Sequence, residues 1–225
     1  MMKTILRGGF VAAACVVAMA SAFKPALIVV DFQEDFCPSN GSLAVPGGRD
    51  IAPIVNALLD LPFALKIATR DWHPRDHVSF AANHPGAAPF TSNYTIVNPA
   101  DAAENYTTTL WPVHCVQGSS GAQLVPELNL REVDAVIDKG MNPTVEMYSA
   151  FYDPFRISDS GLAGMLHAAG ITDVYVVGLA FDYCVKATAE HALGEGFGTY
   201  VVGEGTRAVD PGRWEGVRGS WRRLG

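Results

Sequence analysis

The segment Asp173–Leu193, DVYVVGLAFDYCVKATAEHAL, decides the fold. Val174 to Val177 is an apolar, β-branched run, Gly178 turns the chain, and from Tyr183 onward the composition is that of a helix which Gly194 stops. A strand, a tight turn and a helix in that order are the start of a βαβ unit. Cys184 falls where the helix begins, where unpaired backbone N–H groups and the positive end of the helix dipole favour a thiolate over a thiol. Cys184 is therefore a candidate nucleophile. A lone cysteine is also read as a small buried apolar residue, so the assignment needs partners from elsewhere in the chain.

Outward from this segment the same alternation repeats. Ala26–Val30 (ALIVV) is a continuous apolar run, the pattern of a strand covered on both faces, and Asp31 ends it. Residues 32–48 form a loop rich in Gly, Pro, Ser and Asn. Asp50–Leu59 then reads as a helix with apolar positions Ile51, Ile54, Val55, Leu58 and Leu59. Ala64–Thr69 is the second strand. Ala135–Asp138 is a third, ended by Lys139 and Gly140; Ser160–Ala169 is a helix, Thr199–Val202 a further strand, and Asp210 opens a last helix with no strand after it. The expected fold is α/β, a single three-layer α/β/α domain with a mainly parallel sheet.

Composition narrows the function. The 225 residues are 49% hydrophobic and 17% charged, enough for one domain with a full core, and the net charge of -7 with no long Lys/Arg stripe before the Arg-rich last residues gives no footprint for nucleic acid. A small-molecule partner is expected. Lys3 and Arg7 precede an alanine-rich apolar run ending in Ala20-Ser21-Ala22, the pattern of a secretory signal, too short for a convincing membrane span. Met19 is an alternative start that leaves a short cap before the first strand. Two expectations therefore stand side by side: a cytoplasmic domain over residues 23–225 with a mis-assigned leader, or a secreted one after a signal peptide over 1–22. Asn40, Asn93 and Asn105 head glycosylation sequons that matter only in the second case. Without the leader, Cys37, Cys115 and Cys184 remain, an odd set with no framework spacing, which suits a reducing compartment.

Metal chemistry is suggested by Asp71–His77, DWHPRDH. Asp71 and His73 are two apart and so point to one side of an extended segment. A carboxylate and an imidazole need one more imidazole to make a 2-His-1-carboxylate site, and His114 in WPVHC is the candidate. His77 and His84, taken singly, also read as surface or hydrogen-bonded residues. Residues 84–106, polar and without periodicity, are read as a long loop over the site. In an open parallel sheet, ligands bind beyond the carboxyl ends of the strands, and Asp31, Asp71, Lys139 and Cys184 each follow a predicted strand there. Acid, lysine and cysteine are the parts of a covalent hydrolase, with Asp31 as base, Cys184 as nucleophile and Lys139 as the cation that tunes both.

Six segments, VVDFQEDFCPSNGSLAVPGG, TRDWHPRDHVSF, LWPVHCVQG, DKG, MYSAF and VVGLAFDYCVKATA, together resemble the nicotinamidases of the isochorismatase-like cysteine hydrolase family, nearest to their fungal type. The likeness spans about residues 26–210. It implies a triad of Asp31, Lys139 and Cys184, an oxyanion held by the backbone N–H groups of Ala180 and Cys184, and a cis peptide at Leu179-Ala180. It also implies Asp71, His73 and His114 as ligands of a divalent ion, most often zinc, with His77 as a further or outer ligand, and Phe36, Trp111 and Tyr148 as walls around a pyridine ring. The implied activity is hydrolysis of nicotinamide to nicotinate and ammonia through a thioester, in NAD salvage, with no nucleic-acid or membrane partner and with a homo-oligomer left open. The alternatives are an amidase of the same family acting on another small amide and a non-catalytic binding module. The leader before Phe23 and the tail after Trp214 depart from the family pattern.

Overall fold

The computed structural model describes residues 22–212. Five strands make one all-parallel sheet: β1 (Pro25–Val30), β2 (Leu65–Asp71), β5 (Ala135–Lys139), β6 (Asp173–Leu179) and β7 (Gly198–Arg207), in the order β5-β2-β1-β6-β7. The expected α/β/α layering follows from the side-chain alternation along the strands. On β1, Leu27 and Val29 pack with Val55 and Leu59 of helix α1 (Ala52–Leu59). Ala26, Ile28 and Val30 pack on the opposite face with Leu162 and Leu166 of α2 (Leu162–Ala168) and Val185 and Ala189 at α3 (Lys186–Gly194). All five β1 residues from Ala26 on are fully buried, and at about 1.5–3 kcal/mol for each large aliphatic side chain this strand anchors both layers. Pro53 at the start of α1 occupies a position whose N–H has no helical partner.

The chain leaves β1 in one direction to build β2 and β5, then returns to the other side of β1 to build β6 and β7. Neighbouring strands β1 and β6 therefore diverge in connection, which opens a crevice at their carboxyl ends. They approach each other very closely there. Gly178 pairs with Val30 and has φ +109°, and a Cβ on it would lie 2.0 Å from the Val30 carbonyl oxygen.

Several boundaries differ from the sequence reading. The second strand runs on to Asp71 and the third to Lys139, because the two ladders pair residue by residue up to Asp71↔Lys139. Both residues thus close their strands instead of following them. The strand expected over Thr199–Val202 continues to Arg207 across an irregularity opposite Val176 and Gly178. Residues 84–106 are not one loop: β3 (Asn93–Val97) and β4 (Asn105–Thr109) form an antiparallel hairpin. Its strands are largely exposed and polar, burying only Ile96 and Thr108, so hydrophobic periodicity did not announce them. The leader and nearly all of the last helix expected from Asp210 lie outside the described residues.

Candidate active site

The carboxyl ends of β1, β2, β5 and β6 bring the candidate residues to one place. Asp31, directly after β1, has φ 47°, a backbone state uncommon for a residue with a side chain. Its carboxylate is fixed by Thr69 on the neighbouring strand, whose hydroxyl donates to Asp31 Oδ1 at 2.7 Å. Lys139 Nζ sits among the acids at 3.0 Å from Asp31 Oδ2 and 2.5 Å from Asp71 Oδ1; it donates to the Met147 carbonyl at 3.1 Å and stands 3.7 Å from Cys184 Sγ. A carboxylate oxygen of Asp31, one of Asp71 and Cys184 Sγ lie within 4.8 Å of one another, and the ammonium of Lys139 supplies the cation between them.

Burial and pairing set the charges. Desolvation raises the pKa of Asp31 to about 6, in spite of the lowering by Lys139. Asp71 is equally buried, yet Lys139 and His73 overcome that burial and hold it well below the usual carboxylate range. Lys139 remains an ammonium, because Asp31 and Asp71 outweigh the desolvation that would neutralise it. Burial pushes the Cys184 thiol well up, in spite of the lowering by Lys139, and Asp31 and Asp71 push in the same direction as burial. The thiolate expected from the helix end is thus not the resting form. The N–H groups flanking Cys184, on Tyr183 and Val185, both donate to the Ala180 carbonyl at 3.1 Å, in a π-helical turn over Phe181–Val185. The Leu179–Ala180 peptide is cis.

Beside the triad, ligand atoms of Asp71, His73 and His114 lie within 4.8 Å of one another. The Gly140 carbonyl, which can only accept, accepts a hydrogen bond from His73 Nδ1–H at 2.8 Å, and the Pro112 carbonyl accepts one from His114 Nδ1–H at 2.7 Å. Each ring is left with Nε2 to bind a cation, and His73 Nε2 is buried without a hydrogen-bond partner, 3.5 Å from Asp71 Oδ2. Two imidazoles and one carboxylate, with the imidazole tautomers fixed by carbonyls, fit a divalent ion of borderline softness. Burial works against protonation of His73, but Asp71 draws its pKa upward; burial and the neighbouring His73 put His114 at about 4.

His77 is different. Its ring centroid is 4.0 Å from that of His73, but its Nδ1 accepts from the Ser79 N–H at 3.3 Å, which puts its proton on Nε2. It joins no group of ligand atoms among the described residues, and burial lowers its pKa to about 2. It packs behind the cluster as a neutral ring.

A cavity with about 360 Å³ of empty space, its open mouth included, joins both clusters. Phe36, Trp111, Tyr148 and Tyr183 line it, together with Ala180, Cys184, Asp71, His114 and Glu146. The rings form a box: Trp111 meets Tyr183 edge to face at 4.8 Å, and Tyr148 lies 5.4 Å from Tyr183. The three aromatic residues named from sequence all face the cavity. Tyr183 and Glu146 were missed; Tyr183 is the neighbour of the candidate nucleophile, which was a usable signal, whereas Glu146 had none. Burial raises the pKa of Glu146. Gln33 was also missed. Its side chain takes the Asp71 N–H at 2.8 Å and donates to the carbonyls of Asp71, at 2.8 Å, and Ala122, at 2.9 Å, clamping the strand end that carries the shared carboxylate.

The isochorismatase domain model matches residues 25–217. The chain is 42% identical over 192 residues to the nicotinamidase of Acinetobacter baylyi, with 85% of each chain covered. Its structure superposes with a TM-score of 0.83 on the yeast nicotinamidase bound to the inhibitor nicotinaldehyde, at 35% identity, covering 88% of this chain and 96% of that one. A pyrazinamidase of Pyrococcus horikoshii in complex with zinc gives a TM-score of 0.69 at 33% identity, covering 89% and 95%. Bacterial and yeast proteins match alike, so these comparisons do not single out the fungal type.

Proposed function

We propose, for a chain that belongs to the isochorismatase family, that it hydrolyses nicotinamide to nicotinate and ammonia with Cys184 as the nucleophile. The observation that carries this reading is the cavity itself. One cavity is lined by aromatic rings, by Cys184, which stands 3.7 Å from Lys139, and by Asp71 and His114, whose ligand atoms cluster with one of His73. A pyridine carboxamide has the matching parts: a flat ring, an amide to be attacked, and a ring nitrogen with a lone pair. Relatives called nicotinamidases at 42% and 35% identity support the substrate.

Asp31, ionised above its raised pKa, takes the thiol proton as Cys184 attacks the carboxamide carbon. Lys139 stays charged and offsets the negative charge that collects between Asp31 and the sulfur. The oxyanion accepts hydrogen bonds from the backbone N–H groups of Ala180 and Cys184. Collapse breaks the C–N bond, Asp31 returns its proton to the departing ammonia, and a thioester remains on Cys184. Water, deprotonated by Asp31, hydrolyses that thioester to nicotinate and restores the thiol. Asp71, His73 and His114 would hold a divalent ion, which we take to be zinc, and when bound it would supply a Lewis acid toward the ring nitrogen that orients the substrate. Phe36, Trp111 and Tyr148 enclose the ring, and His77 supports His73 from outside.

The reaction serves nicotinamide clearance and NAD salvage. We place the protein in the cytoplasm as one domain from residue 23, a reading supported by the free, buried state of Cys37, Cys115 and Cys184. No helix among the described residues is long and apolar enough to cross a membrane. The test is ammonia release from nicotinamide by the parent and by Cys184→Ala, before and after chelation. Release that is lost in the variant and on chelation, and is restored by zinc, supports the reading; a folded, zinc-loaded parent that releases no ammonia overturns it.

A further inference from the structure

The β3–β4 hairpin braces the aromatic box from outside the sheet. Tyr106 and Thr108 are alternate residues of β4 and so share one face of it. Both grip the segment that carries Tyr148. The Tyr106 hydroxyl donates to the Glu146 carbonyl at 3.0 Å and accepts the Glu146 N–H at 2.9 Å, while Thr108 Oγ1 meets the Tyr148 hydroxyl at 2.8 Å. The Tyr148 oxygen in turn accepts the indole N–H of Trp111 at 2.9 Å.

This chain of bonds has a direction at one end. An indole N–H only donates, so the Tyr148 oxygen is an acceptor there, and Thr108 Oγ1 is its second partner in the wall. The Tyr148 hydroxyl is therefore committed to the wall, and the wall shows a ligand its ring faces. The backbone of Trp111 is already fixed, since its N–H donates to the Ser79 carbonyl at 2.8 Å and its own carbonyl accepts from Ala81 at 2.9 Å. The indole packs edge to face against Tyr183 and Phe90, and the Tyr148 hydroxyl holds its N–H edge. Thr108 is buried, with 6% of its surface exposed, and lies outside the cavity lining.

We propose that Thr108 is a specificity-determining positioning residue: it holds the Tyr148 hydroxyl, which holds the Trp111 indole, so the hairpin sets the width of the slot that admits the ring. The substrate named in this proposal rests on the reading of the site given above. Thr108→Val keeps the shape and removes the oxygen. It is expected to raise KM for nicotinamide about five-fold, the scale of one lost neutral hydrogen bond, with kcat within about two-fold. It should also narrow the preference for nicotinamide over a ring-methylated nicotinamide, because a slackened slot discriminates size less. Thr108→Ser should restore both. A merely structural role would lower the melting temperature and the active fraction without changing the ratio of kcat/KM between the two amides.

The second measurement needs no turnover. The Trp111 indole N–H resonance, assigned with Trp111→Phe, should exchange faster with solvent in Thr108→Val than in the parent and Thr108→Ser. Unchanged KM and amide preference in Thr108→Val, a Thr108→Ser variant that behaves like the valine, or an indole exchange rate that does not respond would each overturn the proposal. If the parent turns over neither amide, the functional reading falls, and the indole exchange rate alone decides whether Thr108 controls Trp111.

Discussion

The His73 imidazole fills the space where Gly140 would carry a side chain: a Cβ on Gly140 would stand 2.5 Å from His73 Cε1 and 2.8 Å from its Nδ1. Gly140 also has φ +65° and supplies the carbonyl that fixes the His73 tautomer. Gly140→Ala is therefore expected to displace the ring, lower metal affinity about 10–100-fold and reduce stability by more than about 1 kcal/mol. Metal content after dialysis against a graded chelator, beside a thermal melt, checks this; full metal retention would show that the ring has another place to go.

Lys139 is one cation shared by two buried carboxylates. Lys139→Met leaves Asp31 and Asp71 facing each other without compensation, and removing one member of a buried ionic group costs about 3–5 kcal/mol. Urea unfolding should show that loss, and ammonia release should fall at least about 10³-fold. A variant as stable as the parent would contradict the charge arrangement described here.

As the proposed base, Asp31 sets the acid side of the pH profile. Burial raises Asp31 to about 6, so it is a carboxylate above that pH and a neutral acid, unable to take the thiol proton, below it. kcat/KM should therefore fall about tenfold per pH unit below about pH 6. Thr69 donates to Asp31 Oδ1 and so favours the ionised form. Thr69→Val should move this limb to higher pH. A limb that stays in place would assign it to another group.

Gln33 satisfies three backbone groups at once. Gln33→Leu keeps the bulk and leaves them buried and unpaired, for a cost of about 3 kcal/mol by denaturant unfolding. Because the Asp71 backbone is among them, a measurable loss of bound metal should accompany it.

What could be read from the sequence follows from how local each cause is. The strand at Ala26–Val30 was legible because both of its faces are buried, which makes every residue apolar. Asp31, Lys139 and Cys184 were legible as charged or reactive residues interrupting such runs. The hairpin was not, because NYTIV and NYTTT lie mostly in solvent and owe their structure to cross-strand pairing. Gln33 and Glu146 were hidden for a different reason: the groups they meet, Asp71 for Gln33 and Tyr106 for the Glu146 backbone, are remote in sequence, and nothing beside them marks the contact. The thiol state of Cys184 could not be read either, since the helix end is a local feature and its burial is not.

The adjacency of β1 and β6 also has a consequence in time. Among the described residues Asp31 follows the first strand and Cys184 the sixth, so on the ribosome the proposed base emerges long before the proposed nucleophile. A nascent chain holds an acid without a thiol through most of its synthesis. Only when β6 slots in against β1, with Gly178 admitted beneath the Val30 carbonyl, do the two meet. On the proposed mechanism, chemical competence is thereby a proof of assembly: a half-made copy has nothing with which to attack.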